Sequence, residues 1–158
     1  MQHYDVIVIG TGAANIVTDA ALAQGLHVAI VERGSFGGTC LNRGCIPTKV
    51  MVTAANRIRE IRESRRIGVT AENIRLDWDM LSKRLWKKIG ESDGIKSYYE
   101  KFPNCGIYCG TAAFAAPHTI SVTLNSGGNV MLTADKIIVA TGVRTNIPSL
   151  PGLEEIGY

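Results

Sequence analysis

Val6-Ile7-Val8-Ile9 runs directly into Gly10-Thr11-Gly12-Ala13-Ala14-Asn15, and this junction constrains the fold more than any other stretch of the chain. A short, continuous apolar run is the pattern of a parallel strand covered on both faces. The residues after the glycines follow helical spacing, with Ile16, Val17, Ala20 and Ala23 as the expected apolar face and Gly25 as the residue just past the helix end. A second apolar run, Val28-Ala29-Ile30-Val31, ends in Glu32. Strand, glycine turn, helix, strand and an acid about 20 positions beyond the glycines form a dinucleotide-binding arrangement. The helix N-terminus would receive a pyrophosphate, and Glu32 would accept hydrogen bonds from ribose hydroxyls. The third glycine of that pattern is replaced by Asn15, so the helix is expected slightly farther from the strand. A tight turn without a ligand is the plainer alternative.

The second informative stretch is Gly37-Gly38-Thr39-Cys40-Leu41-Asn42-Arg43-Gly44-Cys45-Ile46-Pro47-Thr48-Lys49. Pro47 suits the first turn of a helix, where a missing N–H is no loss. Cys45 then sits at a helix N-terminus, where the macrodipole favours a thiolate. Gly37, Gly38 and Gly44 permit close backbone approach by a flat or phosphorylated ligand. Two buried structural cysteines remain the bland alternative.

Val50, Ala54, Ile58 and Ile61 recur at helical spacing, and the arginines and glutamates among them read as a solvated face. A basic patch for an acidic substrate is the sharper alternative. Gly68 to Arg75 reads as a loop. Asp77 is placed to cap a helix with Leu81, Leu85 and Ile89 as its apolar stripe, which Gly90 and Gly94 weaken. Trp78, Trp86, Tyr98 and Tyr99 are expected to pack between helices. From Cys105 the period changes: Ile107 to Phe114, then Ile120, Val122 and Leu124, then Val130 and Leu132 after Asn125-Ser126-Gly127-Gly128-Asn129, predict a small antiparallel meander. Lys136 to Ala140 is again a continuous apolar strand, entering Thr141-Gly142, and Asn146 to Gly152 reads as a linker.

Composition narrows the classes. The 158 residues suit one domain, and 46% apolar content supports a substantial core. A net charge of +3 gives no reason to expect a nucleic-acid partner. No apolar run approaches the ~20 residues that span a bilayer, so no membrane association is expected. No secretion signal is legible at the N-terminus. The expected location is therefore cytoplasmic, where a disulfide is usually catalytic or sensory. A metal site built from Cys40, Cys45, Cys105 and Cys109 is disfavoured by its spacing, so no metal is expected. Cys105 and Cys109 share a strand parity and are expected as core residues beside the meander.

The thirteen positions from Gly37 to Lys49 resemble the redox-active disulfide segment of the flavin disulfide oxidoreductases, a family that includes lipoamide dehydrogenase, mycothione and glutathione reductase, and mercuric reductase. With the glycine turn and Ala140-Thr141-Gly142, the resemblance extends from Tyr4 to about Gly152. It implies an α/β, Rossmann-like FAD-binding domain with a parallel sheet, helices on one face and a β-meander on the other. That sheet is expected to be incomplete, because the family's closing strand falls after Tyr158. Residues 1–158 would form the N-terminal portion of the FAD domain, with the NAD-binding and dimerisation domains outside this chain. By itself this portion is expected to be inactive.

The implied FAD-binding set is Gly10, Gly12, Ala13, Ala14, Glu32, Arg33, Gly38, Thr39, Gly44, Lys49, Ala112, Thr141 and Gly142. Within it Glu32 binds the adenosine ribose, and Gly12, Ala13, Ala14 and Thr39 face the phosphates. Ala112 holds the adenine edge through its backbone, Lys49 lies near the flavin ring, and Thr141 and Gly142 close the pocket. Cys40 and Cys45 would be the catalytic disulfide, with Cys45 the thiolate against the flavin and Cys40 the interchange thiol. NAD(P) would act through a domain outside this chain, on a small-molecule or protein-bound disulfide or dithiol, in a homodimer. Leu41, Ile46, Thr48 and Lys49 look most like lipoamide dehydrogenase, whereas Asn15 looks like the mycothione reductase branch. The alternatives are a mycothione, glutathione or mercuric reductase-like enzyme, or a non-catalytic flavin-binding module.

Overall fold

The computed structural model describes residues 1–144 and 146–156; Tyr158, the expected outer limit of the domain, lies outside them. Five strands form one continuous ring: β1 (Gln2–Ile9), β2 (Val28–Glu32), β3 (Cys105–Ala116), β4 (Thr119–Leu124) and β5 (Asn129–Val139). β1 lies between β2 and β5 and is parallel to both, with Val6 opposite Val28 and Lys136. The first part of β3 is parallel to β2, from Val28 opposite Cys105 to Glu32 opposite Cys109. Beyond Gly110, β3 turns into the antiparallel meander with β4, and β4 pairs with the first part of β5. β3 and β5 thus serve both layers, and the ring closes through them.

The two faces of the parallel layer carry separate cores, which explains its continuous apolar strands. On the meander side, Tyr4, Ile7, Ile9, Ala29 and Val31 pack against Ile120, Val122 and Leu132. On the helix side, Val6, Val8, Val28 and Ile30 meet Ala14, Ala21, Leu22, Phe36 and Tyr99. The helices are α1 (Asn15–Ala23), α2 (Gly38–Asn42), α3 (Cys45–Glu63), α4 (Trp78–Ile89), α5 (Ser92–Tyr99) and a short α6 (Leu153–Ile156). α1 stops at a left-handed Gly25, with Gly25 N–H donating to Leu22 O and Leu26 N–H to Ala21 O. That pair of bonds is a Schellman cap. Asp77 accepts from Met80 N–H at 2.9 Å and opens α4 as expected. The helical pattern breaks at Gly90–Glu91, dividing α4 from α5. Among the described residues no helix is long and apolar enough to cross a membrane.

Three expectations need correction. The buried side of α1 is Ala14, Thr18, Ala21 and Leu22, while Ile16 is 74% exposed and Val17, Ala20 and Ala23 also face outward. The helix is apolar on more than one side, so periodicity could not choose; the anchored glycine turn fixes its phase. Trp78 and Trp86 are 57% and 65% exposed, because α4 turns Leu81, Leu85 and Ile89 inward instead. Tyr99, by contrast, is buried as expected. Cys105 and Cys109 pack on the helix side of the sheet, not beside the meander, since they alternate with the meander-facing Tyr108. The sheet is incomplete where expected: Lys136–Val139 pairs with β1 on one side and has no second strand among the described residues, leaving Val139 exposed.

Candidate functional site

β1, β2 and β5 run parallel, so their carboxyl ends lie along one edge of the layer. β1 leads on one side to β2 and on the other to β5, and such a reversal of strand order is where ligands bind in open α/β sheets. Gly10, Glu32, Ala140 and Thr141 stand at this edge. Gly10 has φ +104°, and a Cβ there would overlap the Ala140 carbonyl oxygen. The strands can approach this closely only with glycine at that position. Gly142, just past Thr141, also has a left-handed φ of +70°.

The turn itself is held by a residue that the sequence reading passed over. Thr11 is 1% exposed. Its N–H and its hydroxyl both donate to Glu32 Oε2, at 3.0 and 2.8 Å. Gly34 N–H donates to Glu32 Oε1 at 2.8 Å. A carboxylate offers about four lone-pair directions. Three are taken, which leaves one on Oε1 for a ligand hydroxyl. Arg33, next along, is exposed, and its carbonyl accepts from Asn125 Nδ2 at 3.0 Å, which draws the β4–β5 turn to the rim.

The cysteine segment docks directly on the glycine turn. Gly37 N–H donates to both the carbonyl and the hydroxyl oxygen of Thr11, at 3.1 and 3.2 Å. A Cβ on Gly38 would lie 2.6 Å from Gly12 Cα, so the two backbones pack face to face. Phe36 is buried in the helix-side core and pins the loop from below. Asn42 Nδ2 closes it by donating to Phe36 O and Gly38 O, both at 2.9 Å. Thr11, Phe36 and Asn42 were all missed. The signal was present only for Asn42, a side chain able to bridge backbone carbonyls within a glycine-rich loop.

Gly12, Ala13 and Ala14 lead into α1, and their N–H groups have no backbone acceptor among the described residues. Unpaired N–H groups at a helix start have the chemistry to suit an anion. Thr39 is exposed beside this contact, and Gly44 lets the chain pass close to Thr39 O, where a Cβ would sit at 3.1 Å. That close pass sets Cys40, on α2, next to Cys45, the first residue of α3, and puts Pro47 in the first turn of α3 as expected.

Both cysteines are exposed free thiols, so the expected disulfide is not formed in this structure. The Cys40 thiol is pushed above its ordinary range, chiefly by its hydrogen bond to the Cys45 side chain and then by desolvation. The Cys45 backbone and Lys49 oppose that rise. Lys49 is exposed on the first turns of α3. Ala112 lies in the meander half of β3, opposite Val122, and packs against the meander-side core.

A cavity of about 550 Å³ opens on the other side of Cys40, bordered by Asn15, Asp19, Leu41, Ile95, Tyr98 and Tyr99. Tyr99 OH donates to Asp19 Oδ1 at 2.9 Å and fixes one wall. Among the described residues no cluster of three or more metal-ligating side chains occurs.

Comparison with known proteins bears on this geometry. Residues 4–158 match the family described as pyridine nucleotide-disulphide oxidoreductase. The chain is 36% identical to mycothione reductase of Mycobacterium tuberculosis over 160 aligned residues, covering 94% of this chain and 32% of that protein. It is 34% identical to dihydrolipoyl dehydrogenase of Bacillus subtilis, covering 98% of this chain and 34% of the relative. The solved structure of the HOCl-induced flavoprotein disulfide reductase RclA from Escherichia coli superposes with a TM-score of 0.74 at 28% identity, over 98% of this chain and 32% of that one. The chain thus spans about a third of the length of the curated relatives it matches.

Proposed function

This chain belongs to the pyridine nucleotide-disulphide oxidoreductase family, and from that premise we propose that it forms the FAD-binding and dithiol part of a dihydrolipoamide dehydrogenase-like enzyme. The observation that carries the reading is the docking of the cysteine segment on the glycine turn. It brings the free N–H groups of Gly12 to Ala14 and the Glu32 carboxylate beside the segment that carries Cys40 and Cys45.

The residues fit the cofactor. The start of α1 suits a pyrophosphate, and the open lone pair of Glu32 suits one ribose hydroxyl. Arg33, Gly38, Thr39, Gly44, Lys49, Ala112, Thr141 and Gly142 complete the set proposed to surround the dinucleotide. When bound, FAD would supply two-electron exchange between a reduced nicotinamide and the cysteine pair.

The chain's own thiols perform the disulfide chemistry. The dithiol form shown here begins one half-reaction. Cys40 as thiolate attacks one sulfur of a substrate disulfide, releasing a substrate thiolate and leaving a mixed disulfide. Cys45 as thiolate then attacks the Cys40 sulfur, releases the second substrate thiolate and closes the Cys40–Cys45 disulfide. Oxidation of a dithiol substrate runs the same steps backwards. The Cys40 thiol, held above its ordinary range chiefly by its hydrogen bond to the Cys45 side chain, must give up its proton before it attacks. The cavity beside Cys40 gives a substrate disulfide a route to the interchange sulfur. NAD(P) binding and the homodimer contact belong, on this reading, to parts of the protein other than residues 1–158.

The test uses the flavin-loaded full-length protein, including the proposed NAD(P)-binding part, and its two serine variants. Cys40→Ser should retain the long-wavelength absorbance of a thiolate beside oxidised flavin, and Cys45→Ser should lose it. Both should lose nicotinamide-dependent dithiol–disulfide turnover. The reverse pattern would invert the roles of the two thiols, and turnover in either variant would refute the dithiol reading.

A further inference from the structure

We propose that Thr11 is a positioning residue that couples the nucleotide-binding carboxylate Glu32 to the helix carrying Cys40. The coupling rests on the reading of Glu32 and the thiols given above, but its geometry stands independently.

Every polar atom of Thr11 is committed, and the commitments point two ways. N–H and hydroxyl donate to Glu32 Oε2 at 3.0 and 2.8 Å, while carbonyl and hydroxyl oxygen accept from Gly37 N–H at 3.1 and 3.2 Å. The hydroxyl is the one atom on both sides. A hydroxyl that donates to a carboxylate becomes a better acceptor, so the two bonds reinforce each other. At 1% exposure there is no solvent to substitute for either of them.

α2 lacks a side-chain cap of its own. Its cap residue, Gly37, has a left-handed φ of +95° and no side chain, and no side-chain cap bond is made within the segment. Cys40 lies three residues beyond Gly37. The backbone entering the Cys40 helix is therefore anchored from outside, by Thr11. Gly10 and Gly12 flank Thr11 and offer no side chain of their own, so no neighbour in the turn can replace the hydroxyl. A ligand hydroxyl on Glu32 Oε1 would share the same carboxylate, and its effect would pass through Thr11 to α2.

The experiment reads thiol chemistry rather than turnover. Alkylation rates of Cys40 and Cys45 by iodoacetamide would be measured by peptide mass spectrometry on the protein stripped of flavin, and FAD affinity by titration. Thr11→Val should change the Cys40:Cys45 rate ratio by about threefold or more and weaken FAD binding about tenfold, as expected for one network of charge-assisted bonds. Thr11→Ser should restore both. Glu32→Gln, which touches neither α2 nor the thiols, should move the rate ratio in the same direction, and this variant carries the test should Thr11→Val fail to fold. An unchanged ratio in folded Thr11→Val or in Glu32→Gln would overturn the coupling, as would a serine variant no better than valine. A wild type that binds no FAD, yet shows the shifted ratios, would refute the nucleotide reading and leave the coupling intact.

Discussion

Glu32 and Thr11 differ in how openly the sequence declares them. An acid at the end of a second strand, about 20 residues after a glycine turn, has a role defined by spacing alone. Thr11 has no such spacing, because its hydroxyl finds Glu32 and Gly37 only after the chain has folded back on itself. Asn15 lies between these cases. Its replacement of a glycine was visible, but its Oδ1 is buried without a partner among the described residues, which no pattern foretells. Gly10 offers the sharpest test at this scale. A side chain there faces both a φ of +104° and the Ala140 carbonyl. Gly10→Ala should destabilise the protein by about 2–4 kcal/mol, as overpacking added to backbone strain. Urea unfolding would measure it.

Among the elements, strands were more legible than helices. Continuous apolar runs located β1, β2 and the second half of β5; burial on both faces explains the pattern in β1 and β2, whereas β5 keeps it beside an open edge. The meander alternated as a half-exposed sheet should. The dual service of β3 was hidden, since a strand crossing from one layer to another keeps its period while changing partners. Helix phase was legible where one stripe stood alone, as in α4, and illegible in α1, where Ile16 and Val17 competed with Ala14, Thr18 and Leu22. The α1 cap was read correctly from Gly25. Nothing lies within 4 Å of a Cβ at that glycine, so Gly25→Ala meets only the strain of φ +78°. The expected loss is about 1 kcal/mol, well below that of Gly10→Ala. Thermal unfolding of the two variants side by side would check that ranking.

Over the whole molecule, burial sets the alkaline limit. Burial pushes the Cys105 thiol up to about 11. Burial, and then a hydrogen bond to Tyr108 or Asp19, pushes the Tyr4 and Tyr99 hydroxyls upward as well. In each case the folded state favours the neutral form. The associated stability is complete below the unfolded pKa and declines as pH rises toward the folded one. For the thiol that window runs from about 8.5, the ordinary thiol value, upward. Urea midpoints should therefore fall between pH 8 and pH 11, and Cys105→Ala should make the slope shallower, while an unchanged slope would mean that the thiol is not buried in solution. The central claim is that the edge at the carboxyl ends of β1, β2 and β5 holds FAD with Glu32 on its ribose. Equilibrium titration of FAD into flavin-stripped wild type and Glu32→Ala tests this most directly. Loss of one hydrogen bond to a charged acceptor, about 1.5–3 kcal/mol, predicts affinity lower by roughly tenfold or more. Equal affinities in the two proteins would contradict the account.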